Sequence, residues 1–157
     1  MLRALLIYLS QATWARKLVT GWPLAWKVSS RFVAGETLDD ALAAIRALNA
    51  AGMYVTLDHL GEYTYSALEA RQSTVAIVRA LDAIAREGLK SGVSIKLSQL
   101  GLALDPALAA ENLAYILGHA QAYNIFVRLD MEDSSFVDPT LALYRYQHDE
   151  LGVTGLG

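Results

Sequence analysis

The stretch Phe126-Val127-Arg128-Leu129-Asp130-Met131-Glu132-Asp133 constrains the fold more than any other, because it reads as a buried strand running straight into a cluster of acids. Two earlier stretches are built the same way, Val55-Thr56-Leu57-Asp58-His59 and Val93-Ser94-Ile95-Lys96-Leu97. Alternate side chains of a strand share a face. Val55 and Leu57 therefore oppose Thr56 and Asp58. Val93, Ile95 and Leu97 oppose Ser94 and Lys96, and Val127, Leu129 and Met131 oppose Arg128 and Asp130. Each strand thus carries an apolar face for a helix layer and a polar face holding Asp58, Lys96, Arg128 and Asp130. In α/β proteins the carboxyl ends of strands are where ligands are met.

Helical periodicity fills the gaps between these strands. Thr37-x-x-Asp40 opens a helix in the manner of a capping box, with Leu38, Leu42, Ile45 and Leu48 as its stripe and Gly52 at its end. A long helix is expected over 66–87, facing the core with Leu68, Val75, Val78, Leu81 and Ala85 and stopped by Gly88. Asp105-Pro106 starts a third, Asp as N-cap and Pro at the first helical position, with Leu113, Ile116, Leu117 and Ala120 buried. Asp138-Pro139 repeats that start for a helix over 140–150, and the tail from Leu151 has the look of an approach to a fourth strand.

Strand–helix units of this length imply parallel strands with right-handed crossovers. The expected fold class is α/β, a partial (β/α)8 TIM-like barrel with N-terminal helices and about three parallel strands. A small open sheet is the rival, but doubly wound sheets bury both faces and read as continuous apolar runs. A full barrel needs about 250 residues and the chain has 157. The sheet edges are therefore expected to stay open, a liability for self-association. The 54 % hydrophobic content with only 18 % charge fits either a deeply buried sheet or a fragment lacking the partner of its apolar surface.

Residues 1–30 read as a helical segment, Leu2, Leu5, Leu6 and Leu9 forming its stripe. Packing on the domain, weak attachment to a membrane surface and a signal peptide are the competing readings. The apolar run 4–9 is short for a signal peptide and lacks a small-x-small cleavage site, and nothing approaches the length of a membrane span. A net charge of −3 without a basic run argues against nucleic acid as a partner. Trp14, Trp22 and Trp26 are read as packing residues. The absence of cysteine excludes disulfides, thiolate catalysis and cysteine-ligated zinc, and fits a cytoplasmic protein. Asp58, His59 and Glu62 share one loop but make an incomplete ligand set. No metal is expected, and loop capping is an equal reading. Tyr63 and Tyr65 are candidates to cover this end of the sheet.

Three motifs in order, Thr56-Leu57-Asp58-His59-Leu60-Gly61-Glu62, Ser94-Ile95-Lys96-Leu97-Ser98-Gln99-Leu100-Gly101-Leu102 and Arg128-Leu129-Asp130-Met131-Glu132-Asp133-Ser134, resemble those of bacterial monofunctional proline dehydrogenase, and Arg31-Phe32-Val33-Ala34-Gly35-Glu36-Thr37 resembles the family's lead-in. The resemblance runs over residues 30–150. It implies a flavoenzyme on a distorted (β/α)8 barrel that oxidises L-proline to Δ1-pyrroline-5-carboxylate, the first step of proline degradation to glutamate, passing a hydride to FAD and electrons to a quinone. It implies Lys96 as the substrate-site lysine, Asp130 as the active-site aspartate and Met131 as a residue lining the FAD site.

Physical chemistry is compatible with these roles. Proline's carboxylate needs a cation, a buried lysine needs a partner, and Asp130 is the natural one for Lys96. Arg128 is equally able to neutralise Asp58 inside the barrel, as one alternative. A plain Lys96–Asp130 ion pair organising the barrel is the structural alternative. No glycine-rich dinucleotide fingerprint is present, so FAD rests on the resemblance. The resemblance further implies that residues 31–157 form the amino-terminal half of the barrel. Most flavin-binding groups and the arginines that grip the proline carboxylate would lie in the other half, and this chain alone is expected to be inactive. Two other functions compete: an aldolase-type lyase with Lys96 as Schiff-base nucleophile, and a non-enzymatic fragment or partner subunit.

Overall fold

The computed structural model describes residues 34–61, 63–151 and 154–156. The chain divides into two compact units, Met1–Ala41 and Leu42–Gly157, and all described strands lie in the second. The helical segment expected over 1–30 lies outside the described residues.

Helix α1 (Leu38–Ala50) opens on the capping box expected of Thr37 and Asp40. Thr37 Oγ1 accepts from the Asp40 amide at 3.2 Å, while Asp40 Oδ2 accepts from the Thr37 amide at 3.2 Å and from its hydroxyl at 2.7 Å. These bonds to Thr37 hold the Asp40 carboxyl below its usual range. Then follow β1 (Val55–Asp58), α2 (Ala67–Glu87), β2 (Ser91–Ile95), α3 (Pro106–Tyr123), β3 (Val127–Leu129), α4 (Val137–Leu151) and β4 (Thr154–Leu156). Short 3-10 turns, Leu97–Leu100 and Ser134–Phe136, follow β2 and β3.

The four strands form one parallel sheet in the order β1-β2-β3-β4. Sequential order with a helix between each pair is that of a barrel wall. A doubly wound sheet reverses its order at a switch point. The tail expected to approach a fourth strand forms it, Val127 pairing with Thr154 and Leu129 with Leu156.

Helix ends follow their local chemistry. Ser66 caps α2 by accepting from the Glu69 amide, and Asp105 caps α3 by accepting from the Ala107 amide. Gly88 ends α2 at φ 61°, and Asn124 ends α3 at φ 53°, the left-handed region that asparagine tolerates better than most residues. Helix α4 departs from expectation. It begins at Val137, directly after a 3-10 turn, so Asp138 and Pro139 sit inside its first turn instead of before it. Pro139 is tolerated there because first-turn amides have no intrahelical acceptor. Strand β2 also starts two residues earlier than expected and ends before Lys96.

The core lies on one side of the sheet. Val93, Ile95, Val127 and Leu129 are buried with Ile77, Leu81 and Ile84 of α2 and Leu113, Ile116 and Leu117 of α3. Each such side chain contributes roughly 1.5–3 kcal/mol. Leu68, Val75 and Leu48, expected in the core stripes, are exposed. The buried face of α2 is set instead by Ala70, Thr74, Ala80 and Ala83 around Ile77, Leu81 and Ile84, and Leu68 and Val75 fall on the far side of the helix wheel with the exposed Arg79.

Gly92 marks a close approach between β2 and β3: a Cβ there would lie 2.8 Å from the Phe126 carbonyl oxygen. Because that neighbour is backbone in the middle of a sheet, Gly92→Ala is expected to destabilise the protein by about 1–3 kcal/mol, measured as a fall in denaturant midpoint.

Between α1 and α2, Glu87 accepts from Arg46 Nε at 2.7 Å and from its Nη2 at 2.9 Å. That hydrogen bond to Arg46 lowers the Glu87 carboxyl from its ordinary 4.5. A depressed folded value stabilises the fold above the unfolded one, and the effect is lost as pH falls through the folded value. Glu87→Gln should therefore lower Tm at neutral pH, and thermal melts should show the difference from wild type vanishing in acid. No described helix is long and apolar enough to cross a membrane.

Candidate active site

Strand register brings the polar residues together. Asp58 pairs with Ser94 across β1 and β2, and Ser94 pairs with Arg128 across β2 and β3, so the three stand in one row on one face. Two residues further along, the period of a strand returns the chain to that face at Lys96 and Asp130. Lys96 lies just past β2 but keeps an extended backbone at φ −110° and ψ 137°. The Asp130 amide donates to the Ile95 carbonyl at 2.9 Å, carrying the ladder one step past β3.

Lys96 Nζ lies 3.5 Å from Asp58 Oδ2 and 3.8 Å from Asp130 Oδ2. The other oxygen of Asp130, Oδ1, accepts from Ser94 Oγ at 2.5 Å and from Arg128 Nε at 2.9 Å. Arg128 Nε also reaches Ser94 Oγ at 3.2 Å. Lys96 and Asp130, with side chains 25 % and 20 % exposed, are more enclosed than Asp58 at 36 % and Arg128 at 41 %. Two acids face two bases, so their formal charges cancel.

The pairing differs in part from the sequence reading. Arg128 neutralises Asp130, not Asp58, because residues two apart on one strand share a face and the guanidinium folds along its own strand. Asp58 is left to Lys96, which therefore has two carboxylate partners. This is not the unpaired, desolvated amine that Schiff-base chemistry requires, and nothing else supports the lyase reading. Met131, expected to continue the apolar face, surfaces at 39 % exposure as the chain leaves the sheet.

Behind the cluster the strand-end loops are tied together by residues outside the polar row. Glu132 accepts from the Ser98 amide at 3.0 Å and from the Ser98 hydroxyl. Ser98 is fully buried, and its carbonyl accepts from the Thr64 amide and hydroxyl. Tyr63 crosses to the loop after β3, donating to Asp133 Oδ2 at 2.6 Å with its ring 5.7 Å from that of Phe136. Tyr65, its expected companion, stands 82 % exposed and covers nothing. The signal for Glu132 was a carboxylate two residues past Asp130 on the same alternation.

His59 is exposed on its loop, Glu62 lies outside the described residues, and among the described residues no three metal-ligating side chains converge. A cavity of about 390 Å3 lies at the opposite, amino end of the strands, between Tyr54, Lys90 and Tyr123. The polar cluster itself is an open face, not an enclosed pocket.

Comparison with known proteins gives the family. The family model described as Proline dehydrogenase matches residues 41–156. The chain belongs to the proline dehydrogenase family. It is 38 % identical to proline dehydrogenase 1 of Bacillus subtilis (strain 168) over 99 % of this chain and 51 % of that protein. To proline dehydrogenase of Deinococcus radiodurans it is 36 % identical over 84 % of this chain and 44 % of that protein. It thus spans about half the length of the curated relatives it matches. Among solved structures, proline utilization A from Bdellovibrio bacteriovorus, inactivated by N-propargylglycine, superposes with a TM-score of 0.76 at 21 % identity, over 84 % of this chain and 17 % of that one. A proline utilization A structure with proline bound in remote sites gives 0.60 at 24 %, over 79 % and 15 %. These two likenesses are of fold alone, the TIM-barrel type expected of sequential parallel strands.

Proposed function

We propose that the polar face is the substrate side of a proline dehydrogenase site, oxidising L-proline to Δ1-pyrroline-5-carboxylate as the first step of proline degradation to glutamate. One observation carries this reading: Lys96 is held between Asp58 and Asp130 on an open strand-end face, in a chain of this family. Lys96 meets the proline carboxylate. Asp58 and Asp130 keep its ammonium group aimed outward. The N–H proton of the iminium formed by hydride loss passes to water, whereas the extra proton of the ring ammonium must leave before the carbon next to nitrogen loses hydride, because only then is a lone pair free to form the C=N bond. Asp130 Oδ2 is the carboxylate oxygen at hand for that proton, since Oδ1 is engaged by Ser94 and Arg128.

The donor set fits one side of a flavin. Met131 presents an uncovered apolar side chain at the carboxyl end of a strand, suited to the plane of a ring system. The terminal amino groups of Arg128, beyond the Nε that bonds Asp130, supply positive charge to an anionic cofactor. Bound FAD supplies the two-electron acceptor, and a quinone receives the electrons. Quinones of this kind are dissolved in membranes, so we place the protein in the cytoplasm, peripheral to the inner face of the cell membrane.

The test is formation of the product. Joined to the part of Bacillus subtilis proline dehydrogenase 1 that it does not match, and supplied with FAD, L-proline and a soluble quinone, the protein should yield a cyclic imine that an aromatic amino-aldehyde traps as a coloured adduct. Quinone reduction without adduct would refute the assignment.

A further inference from the structure

Gln99 belongs to the turn after β2 and is fully buried, 1 % exposed. Burying a primary amide is costly unless its donors and acceptor are used. Here they are used across two loops. Nε2 donates to the carbonyls of His59 and Gly61, both at 2.7 Å, and Oε1 accepts from the Lys96 amide at 3.2 Å. The orientation is dictated by its partners: two carbonyls need the NH2 end, an amide needs the oxygen. Gly61 adds an independent observation, since a Cβ there would lie 2.8 Å from Gln99 Nε2. The loop after β1 thus lies against this side chain with room for hydrogen only.

The ends of this clasp matter. One end holds the residue directly after Asp58, and the other holds the backbone of Lys96. Asp58 and Lys96 are the two members of the 3.5 Å ion pair, and they come from different strands separated by a long helix. Their exposed side chains gain little from each other alone, since partly exposed pairs are worth about 0–1 kcal/mol. Something stiffer must fix the spacing. We propose that Gln99 is a positioning residue that sets the Asp58–Lys96 pair by fastening the loop after β1 to the turn after β2. The functional consequence rests on the reading of Lys96 as the substrate's cation; the positioning itself does not. A glutamine at this place does what neither a leucine nor a glutamate can. Leucine offers no donor to the two loop carbonyls, and glutamate would set a charged oxygen against them.

The experiment reads Lys96 directly and needs neither flavin nor proline. The full chain is treated briefly with an amine-acylating reagent and the modification of Lys96 is measured by mass spectrometry against exposed Lys90 in the same molecule. Gln99→Met keeps volume and removes the hydrogen bonds. Gly61→Ala keeps the carboxamide but pushes it off the loop, and because its new methyl meets only the far end of one side chain, the fold is retained. Both variants are expected to raise the Lys96-to-Lys90 labelling ratio about fivefold, the scale of releasing one ion pair. General destabilisation would move both lysines together. A ratio within twofold of wild type in the folded Gly61→Ala protein, or a rise shared equally by Lys90, overturns the proposal. Failure of proline oxidation in the wild type would instead refute the function and leave this ratio unaffected.

Discussion

In the chain joined to the part of Bacillus subtilis proline dehydrogenase 1 that it does not match, Lys96→Met is expected to weaken proline-dependent flavin reduction by about a hundredfold or more while leaving the fold intact. The methionine keeps the length of the lysine stem and removes only the charge. On the proposed reading the charge-assisted contact between Lys96 and a bound proline carboxylate is lost, at roughly 1.5–3 kcal/mol, and that carboxylate is left facing Asp58 and Asp130 with no ammonium between them. Asp130 retains Arg128, and Asp58 is open enough to water to tolerate the loss, so Tm should shift by little. The loss should fall on the apparent affinity for proline more than on flavin retention, which stopped-flow reduction over a range of proline concentrations separates. Lys96→Arg should recover part of the affinity, since the charge returns on a wider, planar head.

Asp130 is expected to show the opposite division between stability and chemistry, depending on the replacement. Asp130→Ala removes the acceptor shared by Ser94 Oγ and Arg128 Nε. Ser94 is 1 % exposed, so its hydroxyl is left with a poor choice of partners, and the expected cost is roughly 1–3 kcal/mol of stability. Asp130→Asn keeps an amide oxygen for both donors and turns an NH2 group toward Lys96. Its stability should stay near wild type, while flavin reduction falls by about tenfold or more, the cost of losing a charge-assisted contact at the reacting centre. Urea melts paired with single-turnover kinetics on the two variants check this division. Equal loss of stability in both would mean that Asp130 serves only to organise the sheet.

Much of this was legible in the sequence because strand alternation is local. The row Asp58, Ser94, Arg128 and the pair Lys96, Asp130 follow from a period of two once the strands are assigned, and register only had to align them. Caps were equally legible, since Thr37, Asp105 and Gly88 act on atoms within a turn of themselves. What escaped was decided by neighbours remote in sequence. Which face of α2 is buried depends on α3 and the sheet, so small residues such as Ala70 and Ala83 lie inside while Leu68 and Val75 do not. Arg128 was free by alternation to meet either aspartate, and side-chain reach along its own strand chose Asp130. The clasp by Gln99 and the tie from Glu132 to Ser98 span loops some 34 to 40 residues apart, a separation at which sequence spacing carries no signal.

The measurement that bears most directly on the polar face as a proline site is the visible spectrum of the chain joined to the part of Bacillus subtilis proline dehydrogenase 1 that it does not match, loaded with excess FAD and desalted, before and after L-proline. The expected result is loss of the flavin's visible band on adding L-proline, abolished in Lys96→Met. Flavin that is retained but stays oxidised in L-proline, or that is reduced equally well without the Lys96 charge, would contradict it.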